Sequence, residues 1–353
     1  MNVARICIGR YHSRPRTLVA QSLGRSGTTL SRASPPSRSS AYGALVLTAA
    51  LWGSSAVTAR GLLDTMSPVT LTAWRWVLVL AALVPFVWRE RATIAHALAR
   101  DSRTLAVFAL VGFAPQSLLV YVALDGTTAI NLALFNSAIP VLIVAIAALL
   151  HHRRPCALEL TGLAISLAGV AAIVARGDWR TLASLSVNPH DLLVLVAMSV
   201  WAYYTVRLAD RAPALSVHAF MFAAGSLGLA MIAPAVAWEA IALGVTMPSP
   251  SALAGTVYLA LLPTLVAMLL FAHGIARVGP VQAGLFTHLV PVFGAVFATL
   301  VLGERLQGFH AVGFALVAGG AILGCLKPEP ALAGAKLAVA STGAPAPTHD
   351  TRP

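Results

Sequence analysis

Two ionisable side chains lie well inside apolar stretches of this sequence: Arg75, framed by Trp74 and Trp76, and His288, within the run from Gln282 to Val301. A guanidinium can hold an anionic group through five N–H donors, and an imidazole can exchange a hydrogen bond or a proton near neutral pH. Near other points of the apolar runs stand aromatic, hydroxyl and amide groups: Trp52, Ser54 and Ser55; Gln116; Asn136 and Ser137; Trp201, Tyr203 and Tyr204. Aromatic walls with a few polar groups make a small-molecule pocket.

Covalent chemistry finds little support. Lysine occurs only at Lys327 and Lys336, near the C-terminus, which removes a P-loop and an intramembrane Schiff-base lysine. Asp125, Asp178 and Glu304 fall in predicted loops, so no intramembrane carboxylate pair is on offer. GRSG at 24–27 has the form of a serine-nucleophile turn, but it lies in a polar tail with no span around Ser26. Cys7, Cys156 and Cys325 are odd in number and far apart, and His151 and His152 are adjacent rather than four residues apart. Neither a disulfide framework nor a helical metal pair fits these spacings. No cofactor or metal is expected.

The elements that must position these residues are helices in lipid. With 58% apolar and 10% charged residues, the chain lies far from the roughly 25% charge of soluble domains. Runs of about 20 residues, enough to cross the hydrocarbon core, fall at 41–62, 68–88, 104–124, 129–150, 156–175, 190–207, 215–237, 252–273, 281–302 and 308–326. The sixth is short, since charge leaves only Leu192 to Val206 uninterrupted.

The net charge of +12 could suggest nucleic acid, but its placement excludes that partner. With the N-terminus inside, inner segments hold nineteen Lys and Arg against four outside, Arg60, Arg176, Arg180 and Arg305. That is the positive-inside pattern, with both termini cytoplasmic. Residues 1–40, with seven arginines and no acid, read as a basic tail, and 327–353 as a second flexible tail.

The chain also repeats itself. Asn131 to Gly169, opening NLALFNSAIPVLIVAIAALL, aligns without gaps on Gln282 to Gly320, opening QAGLFTHLVPVFGAVFATLV, at an offset of 151 residues. Leu134, Phe135, Pro140, Arg154, Gly162 and Gly169 each meet an identical residue, and at an offset of 149 Trp52 meets Trp201. The halves are thus 41–175 and 190–326, five spans each. Five is odd, so the second half enters the membrane from the opposite side. Inverted repeats suit alternating access, one half's contacts closing the gate that its mate opens.

The WGSSAVTARG of the first span, TAWRWVL of the second, YVALDGTTAINLALFNSAIPV across the third and fourth, and GIARVGPVQAGLFTHLVPVFGAVFATLVLGERL with GFALVAGGAIL near the end resemble the EamA-type members of the drug/metabolite transporter superfamily, with two EamA domains over 41–326. The resemblance implies an all-α integral membrane fold of ten transmembrane helices in two inverted five-helix repeats. It also implies a central cavity and export or uptake of amino acids or other small metabolites. One departure stands out: Gly303 and Glu304 keep the family's Gly-Glu pair, whereas the first half has His152 and Arg153.

On this reading the substrate-binding candidates are Trp52, Ser55, Arg75, Gln116, Asn136, Ser137, Trp201, Tyr204 and His288, with Pro140 and Pro291 as gating kinks. Asn131 and Gln282 are weaker candidates, and Glu239 beside Trp238 reads as an interfacial anchor. Two readings stay open for His288: a cavity group that bonds substrate or carries a proton, or a buried neutral ring bonding a carbonyl freed by Pro291. Arg75 likewise either snorkels towards a helix end or binds an anionic group. The Gly-Ser step in span one and the short sixth span occupy corresponding places, where transporters interrupt helices. The expected partners are a small molecule and the bilayer, with the chain a monomer or homodimer; no residue pattern names a coupling ion. A drug or nucleotide-sugar carrier is the alternative within transport, and an intramembrane enzyme or a receptor the alternatives outside it.

Overall fold

A computed structural model describes residues 38–127, 135–152, 154–175, 178, 180, 189–209, 215–244, 247–302 and 307–326. Residues 1–37 of the first tail, the whole of the second, Asn131, Arg153, Gly303, Glu304 and Arg305 lie outside the described residues, and residues 38–40 belong to the first helix. Within them the chain is helical, with nine helices long and apolar enough to cross a membrane and one shorter apolar helix. Span one is Arg38–Leu63 and span two Pro68–Val87; a short helix, Arg91–Arg100, leads into span three, built of Ser102–Gly112 and Ala114–Gly126. Span four is the short Ile139–His151, span five Ala157–Ala175, span six Pro189–Ala209 and span seven Val217–Leu243. Span eight runs through Pro250–Leu259, a π-helical turn Ala260–Val266 and Ala267–Val278. Span nine runs through Pro280–Leu285, a 3-10 turn Phe286–His288 and Leu289–Leu302, and span ten is Gly308–Cys325.

Local sequence explains several helix starts. Ser67, Ser216 and Ser249 each cap a helix, their side chains accepting from the backbone N–H of Thr70, Ala219 and Ala252. Pro68 and Pro250 follow two of these caps, where a missing N–H costs nothing. At the end of span seven, Glu239 accepts hydrogen bonds from the Ser67 hydroxyl (2.6 Å) and from Thr70. It therefore fastens span seven to the start of span two.

The packing is two-fold. Span one packs on spans eight and nine, and span six on spans three and four; span two packs on span seven, and span five on span ten. Exchanging each span with the one five places on leaves these pairings unchanged. Spans five and ten settle the direction. A methyl group at Gly162 would lie 2.5 Å from the Gly320 carbonyl oxygen, and one at Gly169 2.8 Å from that of Gly313. As one residue number rises its partner's falls, so the two helices are antiparallel. The same offset that maps 162 to 313 maps 169 to 320, so each close contact is the other's image. Small residues permit this backbone approach. The architecture is two inverted five-helix repeats.

Residues on the pseudo-two-fold axis meet their own repeat mates. Trp52 and Trp201 make an edge-to-face contact with centroids 5.6 Å apart. The His288 ring nitrogen Nε2 lies 3.0 Å from the Ser137 carbonyl oxygen. Each of these contacts joins the two members of one repeat pair.

Two expectations need correction. Span one is continuous through Gly53 and Ser54, and span six is a full 21-residue helix. Gly53 serves packing: a methyl there would lie 2.8 Å from the Val290 carbonyl oxygen and the Gly294 nitrogen of span nine. Asp191, which seemed to shorten span six, is fully buried and accepts a hydrogen bond from Thr127. The helices interrupted in register are instead three with eight, at Phe113 and Ala260–Val266, and four with nine, at Ser137–Ala138 and Phe286–His288.

Candidate functional site

The four interrupted spans, together with spans one, two and six, surround a central cavity of about 230 Å³. Of the predicted residues, Trp52, Ser55, Arg75, Gln116, Asn136 and Trp201 line it. Each comes from a different span or a different turn, so only the tertiary fold brings them together.

Trp52 and Trp201 form the wall on the axis. The Trp52 indole N–H donates to the Pro263 carbonyl (2.9 Å), whereas the Trp201 indole makes no hydrogen bond among the described residues. Pro263 sits inside the π-helical turn, where the wider winding displaces carbonyls from their ordinary partners. Phe271 packs on both rings, with centroids 5.0 Å from Trp52 and 6.1 Å from Trp201. The Ser55 hydroxyl donates back to the Trp52 carbonyl (2.7 Å).

Arg75 enters from span two, about 10 Å along it at 1.5 Å per residue. One terminal nitrogen donates to the Tyr121 hydroxyl (2.6 Å) and the other to Ser117. The guanidinium carbon stands 5.0 Å from the Tyr121 ring centre, within cation–π range. Ser117 also accepts from the Trp76 indole (3.3 Å). Arg75 Nε is buried without a hydrogen-bond partner. Its side chain turns into the bundle, and snorkelling towards a helix end is not what the structure shows.

Tyr204, Ser137 and His288 do not line the cavity. Tyr204 lies one layer behind, stacked on Trp201 with centroids 5.0 Å apart and met edge-on by Phe108 and Phe113. His288 is 1% exposed. A carbonyl can only accept, so Nε2 donates to Ser137; in the neutral ring this leaves Nδ1, 2.5 Å from the Ser166 hydroxyl, as that group's acceptor. The ring thus joins spans four, five and nine at the axis. Pro140 and Pro291 open helical segments just past the interruptions instead of kinking helix interiors. Gln282 is buried and accepts from the Tyr42 hydroxyl (3.4 Å).

Ser117, Tyr121, Thr264 and Thr287 line the cavity as well and were not singled out from sequence. Ser117 and Tyr121, four residues apart, share one helical face, and Ser117 adjoins Gln116 in the sequence, which was the available signal. Thr264 offered none, since its place depends on the π-helical turn. A second cavity of about 200 Å³ lies where span three starts and span six ends, lined by Arg103, Thr104, Val107, Phe108, Tyr203 and Arg207. The Phe108, Tyr204 and Trp201 rings separate the two.

Residues 39–175 and 188–324 each match the EamA-like transporter family. The chain belongs to that family. This EamA-like chain is 26% identical over 282 residues to an uncharacterized transporter of Archaeoglobus fulgidus, covering 79% of this chain and 95% of the relative. It is 28% identical over 286 residues to a probable terminal-alkyne amino-acid exporter of Streptantibioticus cattleyicolor, covering 81% and 93%. A solved crystal structure superposes with a TM-score of 0.65 at 20% identity, over 81% of this chain and 96% of that one; this likeness concerns the fold. The EamA-like chain is a multi-pass membrane protein of a transporter family, not of an enzyme family.

Proposed function

We propose that the chain is a secondary carrier that exports a small amino acid or related metabolite across the bacterial inner membrane, with both termini in the cytoplasm. The observation that supports it most is the central cavity on the pseudo-two-fold axis, bordered by repeat-related breaks in spans three and eight and in spans four and nine. Inverted halves around such a site can rock so that each closes one end in turn. The cavity holds about 230 Å³, below the roughly 300–1,000 Å³ of drug-sized sites. That size favours a metabolite over a drug or a nucleotide sugar. The amino-acid exporter named among the relatives points to the same class, and the excess of Lys and Arg on one side supports the orientation.

Proteoliposomes containing the full chain test this reading. Saturable flux of intact amino acids is expected, and Ser55→Trp, which puts an indole into the cavity, should abolish it while the protein still folds. Chemical conversion of the solute without displacement would overturn the carrier reading, and flux unaffected by Ser55→Trp would overturn the site.

A further inference from the structure

We infer that Arg75 makes the central cavity a receptor for the carboxylate end of its solute and not for the amino end. The site should therefore accept small acids with apolar bodies, amino acids and their 2-oxo analogues together, and pass over amides and amines of the same skeleton. This rests on the cavity being the transport site.

The charge at Arg75 has no counter-charge in the wall. Among the described residues lining the cavity none is acidic, and the guanidinium is held by the hydroxyls of Tyr121 and Ser117. Its Nε has no partner. A cation in the membrane interior is costly and is ordinarily paired or turned towards a water-filled path. Here the hydroxyls and the Tyr121 ring orient a fork of donors that matches a carboxylate in shape and charge, and the solute supplies the missing negative charge.

The amino end meets no such receptor. Hydroxyls such as those of Ser55, Thr264 and Thr287, the amides of Gln116 and Asn136, and aromatic faces are the groups the wall can offer an ammonium. These contacts are neutral and replaceable by a carbonyl or by nothing. Trp52, Trp76, Met198, Trp201 and Met268 are the largest apolar side chains of the remaining surface, which suits an apolar body.

Symmetry shows that the charge is not a demand of the scaffold. The 149-residue offset that pairs Trp52 with Trp201 pairs Trp76 with Gly225, and these two are in contact: a methyl on Gly225 would lie 3.4 Å from the Trp76 ring. The same offset pairs Arg75 with Ala224, which is fully buried. The packing is shared by both halves and the guanidinium is not.

Ligand-induced thermal stabilisation of the purified full-length protein reads this directly. The probes are leucine, methionine, phenylalanine and tryptophan, each with its 2-oxo acid, its amide and its decarboxylated amine. For at least one skeleton the amino acid and the oxo acid should bind within about tenfold of each other, and the amide and amine at least tenfold more weakly. That factor corresponds to about 1.4 kcal/mol. Arg75→Gln should bring acid and amide to equal affinity, and Arg75→Lys should keep the preference. Amides or amines binding as well as acids, or no acid binding at all, would overturn the inference on the wild-type protein alone, whether or not Arg75→Gln folds. If amines bind and Ser55→Trp abolishes that binding, the carboxylate inference fails and the transport site stands. If acids bind and Ser55→Trp leaves them unaffected, both fail.

Discussion

Gly319 and Gly320 are neighbours on span ten, and alanine at each should shift stability in opposite directions. A methyl at 320 would lie 2.5 Å from the Gly162 carbonyl oxygen and 2.6 Å from the Ser166 nitrogen, whereas one at 319 would have nothing within 4 Å. Ordinary heavy-atom contact is about 3.5 Å, so Gly320→Ala forces the helices of spans five and ten apart by roughly 1 Å. Overpacking of this kind costs about 1–3 kcal/mol, and the better helix propensity of alanine returns up to about 1 kcal/mol. The net expectation is a loss of roughly 1–2 kcal/mol for Gly320→Ala and a gain of up to about 1 kcal/mol for Gly319→Ala. Thermal unfolding in a single detergent, followed by tryptophan fluorescence, separates the two by several degrees. Because Gly162 and Gly169 are the symmetry images of Gly313 and Gly320, Gly169→Ala should resemble Gly320→Ala in sign. Equal stability of the 319 and 320 variants would refute the antiparallel crossing of the fifth helices, and with it the inverted arrangement.

Two further outcomes follow from the axis. His288→Ala leaves the Ser137 carbonyl and the Ser166 hydroxyl without this partner in a buried place, at a cost of about 1–3 kcal/mol. Its melting temperature should fall while the pH profile of the remaining flux keeps its shape, and a flattened profile in a well-folded variant would instead assign the imidazole a proton-transfer step. Trp52→Phe removes the hydrogen bond to the Pro263 carbonyl, which has no counterpart at Trp201. In a cysteine-free background carrying Gln116→Cys, labelling by membrane-impermeant thiol reagents from the two sides should change in ratio, and an unchanged ratio would show that this bond does not bias access.

Much of the scaffold could be read from residue order because lipid enforces it. Hydropathy placed the spans, and the match of Pro140 with Pro291 and of Gly162 with Gly313 announced the duplication before any contact was known. Arg75, Gln116 and Asn136 reached the cavity because a polar group in an apolar run has few other places to go. His288 was harder. Its place in an apolar run suggested the cavity wall, but the 3-10 turn at Phe286–His288 winds at 120° per residue instead of 100°, a difference of about 60° over three residues. Thr287 takes the lining position and His288 turns to Ser166. The break expected at Gly53 failed for a related reason: a glycine that loosens an isolated helix also admits a neighbouring backbone, and here span nine takes the space. Ser117 and Tyr121 gained their role only when span two presented Arg75 to them.

The edge-to-face meeting of Trp52 with Trp201 bears on how an alternating machine divides its energy between states. If the outward- and inward-facing forms are related by swapping the roles of the halves, a residue touching its own copy makes the same contact in both, and its strength cancels from the balance between them. Substitutions confined to that seam should alter how much protein survives without altering which way it faces. The bond from Trp52 to Pro263 lies off the axis and belongs to one form, so the bias between the two directions resides in contacts of that kind.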